Sequence, residues 1–370
     1  MRKTTTIAAI GILGIMQAGC AGQGGEGEDP ELGTAELGER CRSSLVNVDL
    51  EPDSAGKVSV ELCLPDGEQP STVLLLLAGA TYSKRYWDIE DPSGPTNRYS
   101  FVAAATGAGY ATLAIDRIGI GASSRPDSSL VTMDQNVNIT NQLVTALRDG
   151  DIDAPGPDLP FAKVVLVGHS LGSLMAFLEA TQFGDVDGVV VTGATHGLRA
   201  GAAEFFFSQL HPAGEELRFR RLDDDPGYLT TIPGARDDLL YAPSTDFDPK
   251  VVALDELTKQ TVTDVEFAGA LQALAAPLDV RAPVFILMGE IDPIFCSQAP
   301  GDGGSDCSSA AALVAQEAPL YGSQTPCVEA SITPDAAHNL NAFFSATESF
   351  AAITDFLDAH IGAGETTPGC

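Results

Sequence analysis

Ser170 lies between Gly168 and Gly172 in "KVVLVGHSLGSLMAF", residues 163–177, where an apolar β-branched run gives way to a small-residue helical pattern. A serine hydroxyl is a weak nucleophile, so it needs a base within hydrogen-bond reach and must stand clear of its own backbone. A sharp strand-to-helix turn achieves the second condition. It crowds the residues two before and two after the serine, which is why glycine suits both places. The helix that follows points its first N–H groups and its dipole at the same spot, where negative charge would be welcome.

Such an elbow is followed along the chain by an acid and then a histidine. Four of the five histidines come after Ser170: His196, His211, His338 and His360. His196 and His211 come too early for that order, and His360 falls on a terminal helix. His338, in "TPDAAHNLN", sits in a loop just past the last expected strand and is the candidate base. His169 is expected to be structural or to line the site, since adjacent side chains diverge in so tight a turn. Two acids end the strand "VFILMG", Glu290 and Asp292; Asp292 is preferred because Pro293 favours a turn that sends its carboxylate across the strand edge. Its role would be to fix the imidazole tautomer and stabilise the imidazolium. The oxyanion donors would be the backbone N–H of Leu171, and that of Ala80 in the small-residue turn after "LLLLAG".

Elements able to position these groups can be read along the chain. Two strands, Leu45 to Leu50 and Lys57 to Leu64, form a hairpin across "PDSAG". Buried strands follow at "TVLLLLAGA", "YATLAID", Lys163 to Val167, "DGVVVTGAT", "PVFILMGEID" and "CVEASI". Helices are expected around Tyr99 to Thr106, from Asp134 (as cap) to Leu147, from Leu171 to Phe183, and from Ala346 to His360. This alternation implies an α/β fold, a mostly parallel sheet flanked by helices. Residues 196–277 carry no strong strand and are too long for a simple connection, so they read as an inserted, largely helical cap. The core is then 41–195 with 278–361, and 362–370 form a tail.

With these motifs placed, residues 41–361 resemble the α/β-hydrolase family. "GHSLG" is similar to its nucleophile elbow, "GEIDP" to its acid loop, "DAAHNL" to its histidine loop, and "DRIGIGASS" to a turn that is structural there. "AGATYSKRYWD" resembles its oxyanion loop, with Ala78-Gly79 where His-Gly is usual. The resemblance implies a serine esterase, with Ser170, Asp292 and His338 as triad and no cofactor. An aminopeptidase-type relative would instead want an acid in the cap for the substrate amine, Asp223 to Asp225 or Asp237 and Asp238. A binding protein that has lost turnover is the third alternative.

Composition narrows the partners. Against 20 basic residues stand 51 acidic ones, a formal net charge of -31, which disfavours nucleic acid and anionic lipid surfaces. Gly119-x-Gly121 lacks the third glycine of a dinucleotide loop, and no metal-ligand spacing is present. At the start, Arg2 and Lys3 precede the apolar run Ile7 to Met16, too short to span a membrane, so residues 1–19 read as a signal peptide. "QAGC" resembles a bacterial lipoprotein signal with Cys20 as the lipidated residue, although Gln17 replaces the usual aliphatic side chain. An ordinary export signal is the alternative, and either implies an exported chain, anchored or secreted. Residues 20–40, Gly- and Glu-rich, read as a tether. The other six cysteines imply disulfides: Cys41 with Cys63, Cys296 with Cys307, and Cys327 with Cys370, among fifteen possible pairings.

Overall fold

The computed structural model describes residues 40–51, 54–67, 69–156, 160–364 and 370. The expected signal peptide, Cys20 and all of the tether but Arg40 lie outside the described residues. Among those described, no helix is long and apolar enough to cross a membrane.

Strand β1 (Cys41–Leu50) pairs antiparallel with β2 (Ser54–Cys63), and the Cys41–Cys63 disulfide closes the open end of this hairpin. Then come β3 (Thr72–Leu77), α1 (Phe101–Gly107), β4 (Ala111–Asp116), α2 (Met133–Asp149), β5 (Lys163–His169), α3 (Leu171–Gln182) and β6 (Gly188–Thr192). The interposed segment holds α4 (Ala202–Ser208), β7 (Leu210–Pro212), β8 (Tyr228–Thr231), α5 (Pro249–Thr258), β9 (Val262–Thr263) and α6 (Asp264–Ala273). The chain returns through β10 (Val284–Gly289), α7 (Ala310–Glu317), β11 (Val328–Thr333) and α8 (Ala346–His360).

The main sheet runs β1-β2-β4-β3-β5-β6-β10-β11, antiparallel at β1, β2 and β4 and parallel from β4 onward. Every residue of β3, β4, β5, β6 and β10 is buried, so both faces of those strands are covered. Strand order reverses between β3 and β5, and a crevice at the carboxyl ends of two such strands is where open α/β sheets bind ligands.

Two details depart from the sequence reading. The cap of α2 is Thr132, whose hydroxyl accepts from the Gln135 N–H, and Asp134 lies inside the first turn. The interposed segment also carries an antiparallel sheet, β7-β8-β9, beside its helices. The Cys296–Cys307 and Cys327–Cys370 disulfides are formed.

Glu179 on α3 is fully buried, and neither carboxylate oxygen has a hydrogen-bond partner among the described residues. Burial, then the Asp185 carboxylate nearby, push its pKa from 4.5 up to about 8. The folded chain therefore retains a proton that the unfolded chain releases. Stability is highest below about pH 4.5 in this respect and is lost as pH rises toward 8. Glu179→Gln should flatten that slope, adding at most about 5 kcal/mol at pH 8 and almost nothing at pH 4.5. Urea unfolding at the two pH values reads it, and an equal effect at both would remove Glu179 as the cause.

Candidate active site

Ser170 joins β5 to α3 with φ 52° and ψ -118°, a strained conformation for any side chain but glycine's. The flanking glycines are forced by different neighbours. A Cβ on Gly168 would lie 2.5 Å from the Gly172 carbonyl oxygen, where α3 begins. One on Gly172 would lie 2.0 Å from the Leu77 carbonyl oxygen, at the end of β3. The elbow is thus pressed against the neighbouring strand at the switch point, and the Ser170 N–H is held by the Thr192 carbonyl of β6 (2.8 Å).

Asp292 follows β10 in a turn that captures its carboxylate. Oδ1 accepts from the Ile294 and Phe295 N–H groups (2.8 and 3.1 Å), which leaves Oδ2 for His338 Nδ1 at 2.8 Å. Both side chains are buried. This bond selects the tautomer with the proton on Nδ1, so Nε2 is the nitrogen free to take a proton. The disulfide at Cys296 tightens the same turn, four residues after Asp292. Glu290 is exposed and accepts from the Asp335 N–H (3.1 Å), which takes no part in this pair.

The His338 ring lies 5.0 Å from that of His169 and 6.0 Å from that of Phe295, centroid to centroid. Phe295 and Ser170 line one apolar slot together with Ala80 and Leu171. Ser170, His338, Ala80 and Leu171 therefore share one neighbourhood, although no hydrogen bond joins Ser170 Oγ to His338. His169 is fully buried, stacked on Tyr86 at 4.3 Å and bonded to Thr192 Oγ1 (3.1 Å). Burial first, then His338, hold its pKa well below the ordinary value, so it stays neutral behind the site. The remaining histidines are engaged elsewhere: His196 with Glu317, His211 with Glu216, His360 with Glu329.

The turn after β3 is held from beneath. Arg117, buried in an ion pair with Glu266, donates from one nitrogen to the carbonyls of Ala78 and Gly79 (2.9 and 3.1 Å). Asp116 accepts from the N–H groups of Lys84 and Ala122, clamping the same turn to "RIGIG". The Gly79 carbonyl and the Ala80 N–H belong to one peptide, so pinning the first fixes the second, at a residue that lines the slot beside Leu171. Arg117 thus braces the turn in which Ala78-Gly79 stands where His-Gly is usual, and its place in "DRIGIG" is the only sequence signal of that role.

Apart from Ser170 the slot is apolar: Leu174 and Leu198 flank it, and Phe206 of α4 stacks on Phe267 of α6 at 5.3 Å. Asp223, Asp224, Asp237 and Asp238 are exposed, Asp225 is engaged by Ser128 (2.6 Å), and none of the five lines the slot.

The chain belongs to the alpha/beta hydrolase family, whose model matches residues 74–353. Among curated proteins no sequence matches it. Solved structures that resemble it include a soluble variant of a monoglyceride lipase from Saccharomyces cerevisiae, 13% identical, TM-score 0.56, over 90% of this chain and 98% of that one. A thermostable carboxyl esterase from Bacillus coagulans is 16% identical, TM-score 0.55, over 86% and 98%. A thermophilic esterase from Thermogutta terrifontis is 16% identical, TM-score 0.51, over 85% and 98%. At these identities the likeness is one of fold, and what the chain does must be argued from its site.

Proposed function

We propose that this chain is a serine hydrolase that cleaves carboxylic esters through an acyl-enzyme. The observation that carries the reading is the Asp292–His338 hydrogen bond at 2.8 Å in the same neighbourhood as a strained serine at a strand-to-helix elbow. Substrate entry turns Ser170 Oγ toward His338 Nε2, a contact that commonly closes only in the loaded enzyme. Oγ attacks the ester carbonyl as Nε2 takes its proton. The N–H groups of Leu171 and Ala80 hold the oxyanion, and His338 returns the proton to the departing alcohol. Water repeats the cycle on the acyl-enzyme and frees the acid.

The apolar slot holds the acyl chain, with the Phe206–Phe267 stack limiting its length. Phe267→Ala should move the preferred p-nitrophenyl ester to a longer chain, by about tenfold in relative kcat/KM. An unchanged chain-length profile would put the acyl group elsewhere. With no acid on the slot, aminoacyl anilides should be turned over poorly beside the esters.

A fluorophosphonate probe tests the chemistry. It should label the wild type and not Ser170→Ala; an adduct that survives Ser170→Ala means another nucleophile, and an unlabelled wild type favours a binding protein. The exported, Cys20-lipidated form is part of the same reading, supported by three disulfides, which persist in oxidising compartments. Mass analysis of the mature N-terminus, with Cys20→Ser beside it, decides between anchored and secreted forms.

A further inference from the structure

We propose that Arg236 and Asp255, both in the interposed segment, are positioning residues that hold the oxyanion turn and the histidine loop in register. The proposal rests on the serine-hydrolase reading of the site.

Arg236 is fully buried, and its guanidinium lies 4.3 Å above the Tyr82 ring. One nitrogen donates to Thr81 Oγ1 at 2.8 Å and the other to Asp255 Oδ1 at 2.7 Å. Asp255 Oδ2 in turn accepts from Tyr241 OH (2.9 Å), Tyr82 OH (3.1 Å) and Asn339 Nδ2 (3.3 Å). Asn339 also donates to Tyr241 OH at 2.7 Å. A single carboxylate therefore collects Tyr82 and, through Arg236, Thr81 from the turn that contains Ala80. On its other side it reaches the residue next to His338.

Thr81 shows why the turn needs such support. Its φ of 61° is in the left-handed region, which a β-branched residue adopts only under constraint. Two bonds from the interposed segment supply it: Arg236 to Oγ1, and the Gln260 N–H to the Thr81 carbonyl at 2.8 Å. If those were lost, Thr81 would relax and the preceding Ala80 N–H would swing off the oxyanion. A buried Arg–Asp pair is poor evidence of stabilisation, since a well-packed apolar replacement often serves as well. Its bonds here run to catalytic loops, which makes position the better account of it.

The test uses the full-length protein with p-nitrophenyl butyrate, measuring kcat, KM, fluorophosphonate labelling rate and Tm. Thr81→Val keeps the shape but removes the acceptor. It should lower kcat and the labelling rate at least tenfold, with KM within about twofold and Tm within a few degrees. Thr81→Ser should restore kcat to within about threefold of wild type. Asp255→Asn should lose about a hundredfold in kcat, and Thr81→Val keeps the proposal open to refutation should Asp255→Asn fail to fold. Wild-type kcat in folded Thr81→Val, or losses that merely track the unfolded fraction, overturns the positioning role alone. A wild type that neither hydrolyses ester nor takes up the probe overturns the hydrolase reading and this one with it.

Discussion

Asp292→Asn should lower kcat by about 10⁴-fold while leaving KM nearly unchanged. The reason lies in which oxygen does what. Oδ1 already accepts two backbone N–H groups, from Ile294 and Phe295, so an asparagine must keep its carbonyl oxygen there. Its NH₂ group then takes the place of Oδ2 and faces His338 Nδ1. A donor in that position forces Nδ1 to accept, which moves the ring proton to Nε2 and leaves no base for the serine hydroxyl. Binding of an acyl chain in the slot does not involve this pair, hence the small effect on KM. Glu290→Gln makes the matched comparison, because Glu290 is exposed and its carboxylate accepts from the Asp335 N–H, away from His338. It should change kcat less than twofold, an ordinary result for a surface carboxylate. Steady-state kinetics on the two variants would reassign the acid if Glu290→Gln proved the damaging one.

The parts of this site legible in the sequence are those in which one short stretch carries the whole physical requirement. Gly168 and Gly172 announce a bend around Ser170 because a Cβ at either would collide with backbone, and Asp292-Pro293 follows an unbroken apolar strand. The terminal helix from Ala346 to His360 was equally plain, since Phe350, Ile353, Phe356 and Leu357 recur on one buried stripe. What escaped detection is distributed. Strands β7, β8 and β9 have only two to four residues each, too few for an alternation to show. Arg236 and Asp255 each look like surface charges in a chain full of acids, and nothing local reveals that they meet one another, the turn at Thr81 and the residue next to His338. Arg117 was visible as part of a motif, yet its hold on the carbonyls of Ala78 and Gly79 depends on β3 and β4 being neighbours. Asp134 reads as the cap of α2 because aspartate caps well, yet Thr132, two residues earlier and also a good cap, is the one that holds the position.

Gly172→Ala should cost about 1–3 kcal/mol of stability or more, reversing the sign normally expected when alanine replaces glycine in a helix. The new Cβ would sit 2.0 Å from the Leu77 carbonyl oxygen and 2.9 Å from that of Ala78. Neither can yield cheaply. Strand β3 is paired on both sides, with β4 and β5, and is buried throughout, while α3 is anchored through Ser170 to β6. A shift of α3 away from β3 would carry the Leu171 N–H off the oxyanion position, so whatever folds should also lose kcat by tenfold or more. Gly107→Ala, at the end of α1 where a Cβ meets nothing within 4 Å, should instead stabilise by about 0.5–1 kcal/mol. Denaturant unfolding and ester hydrolysis measured on both variants separate the two effects. If Gly172→Ala matched wild type in stability and turnover, the elbow would not be wedged against β3, and the strain that exposes Ser170 would need another source.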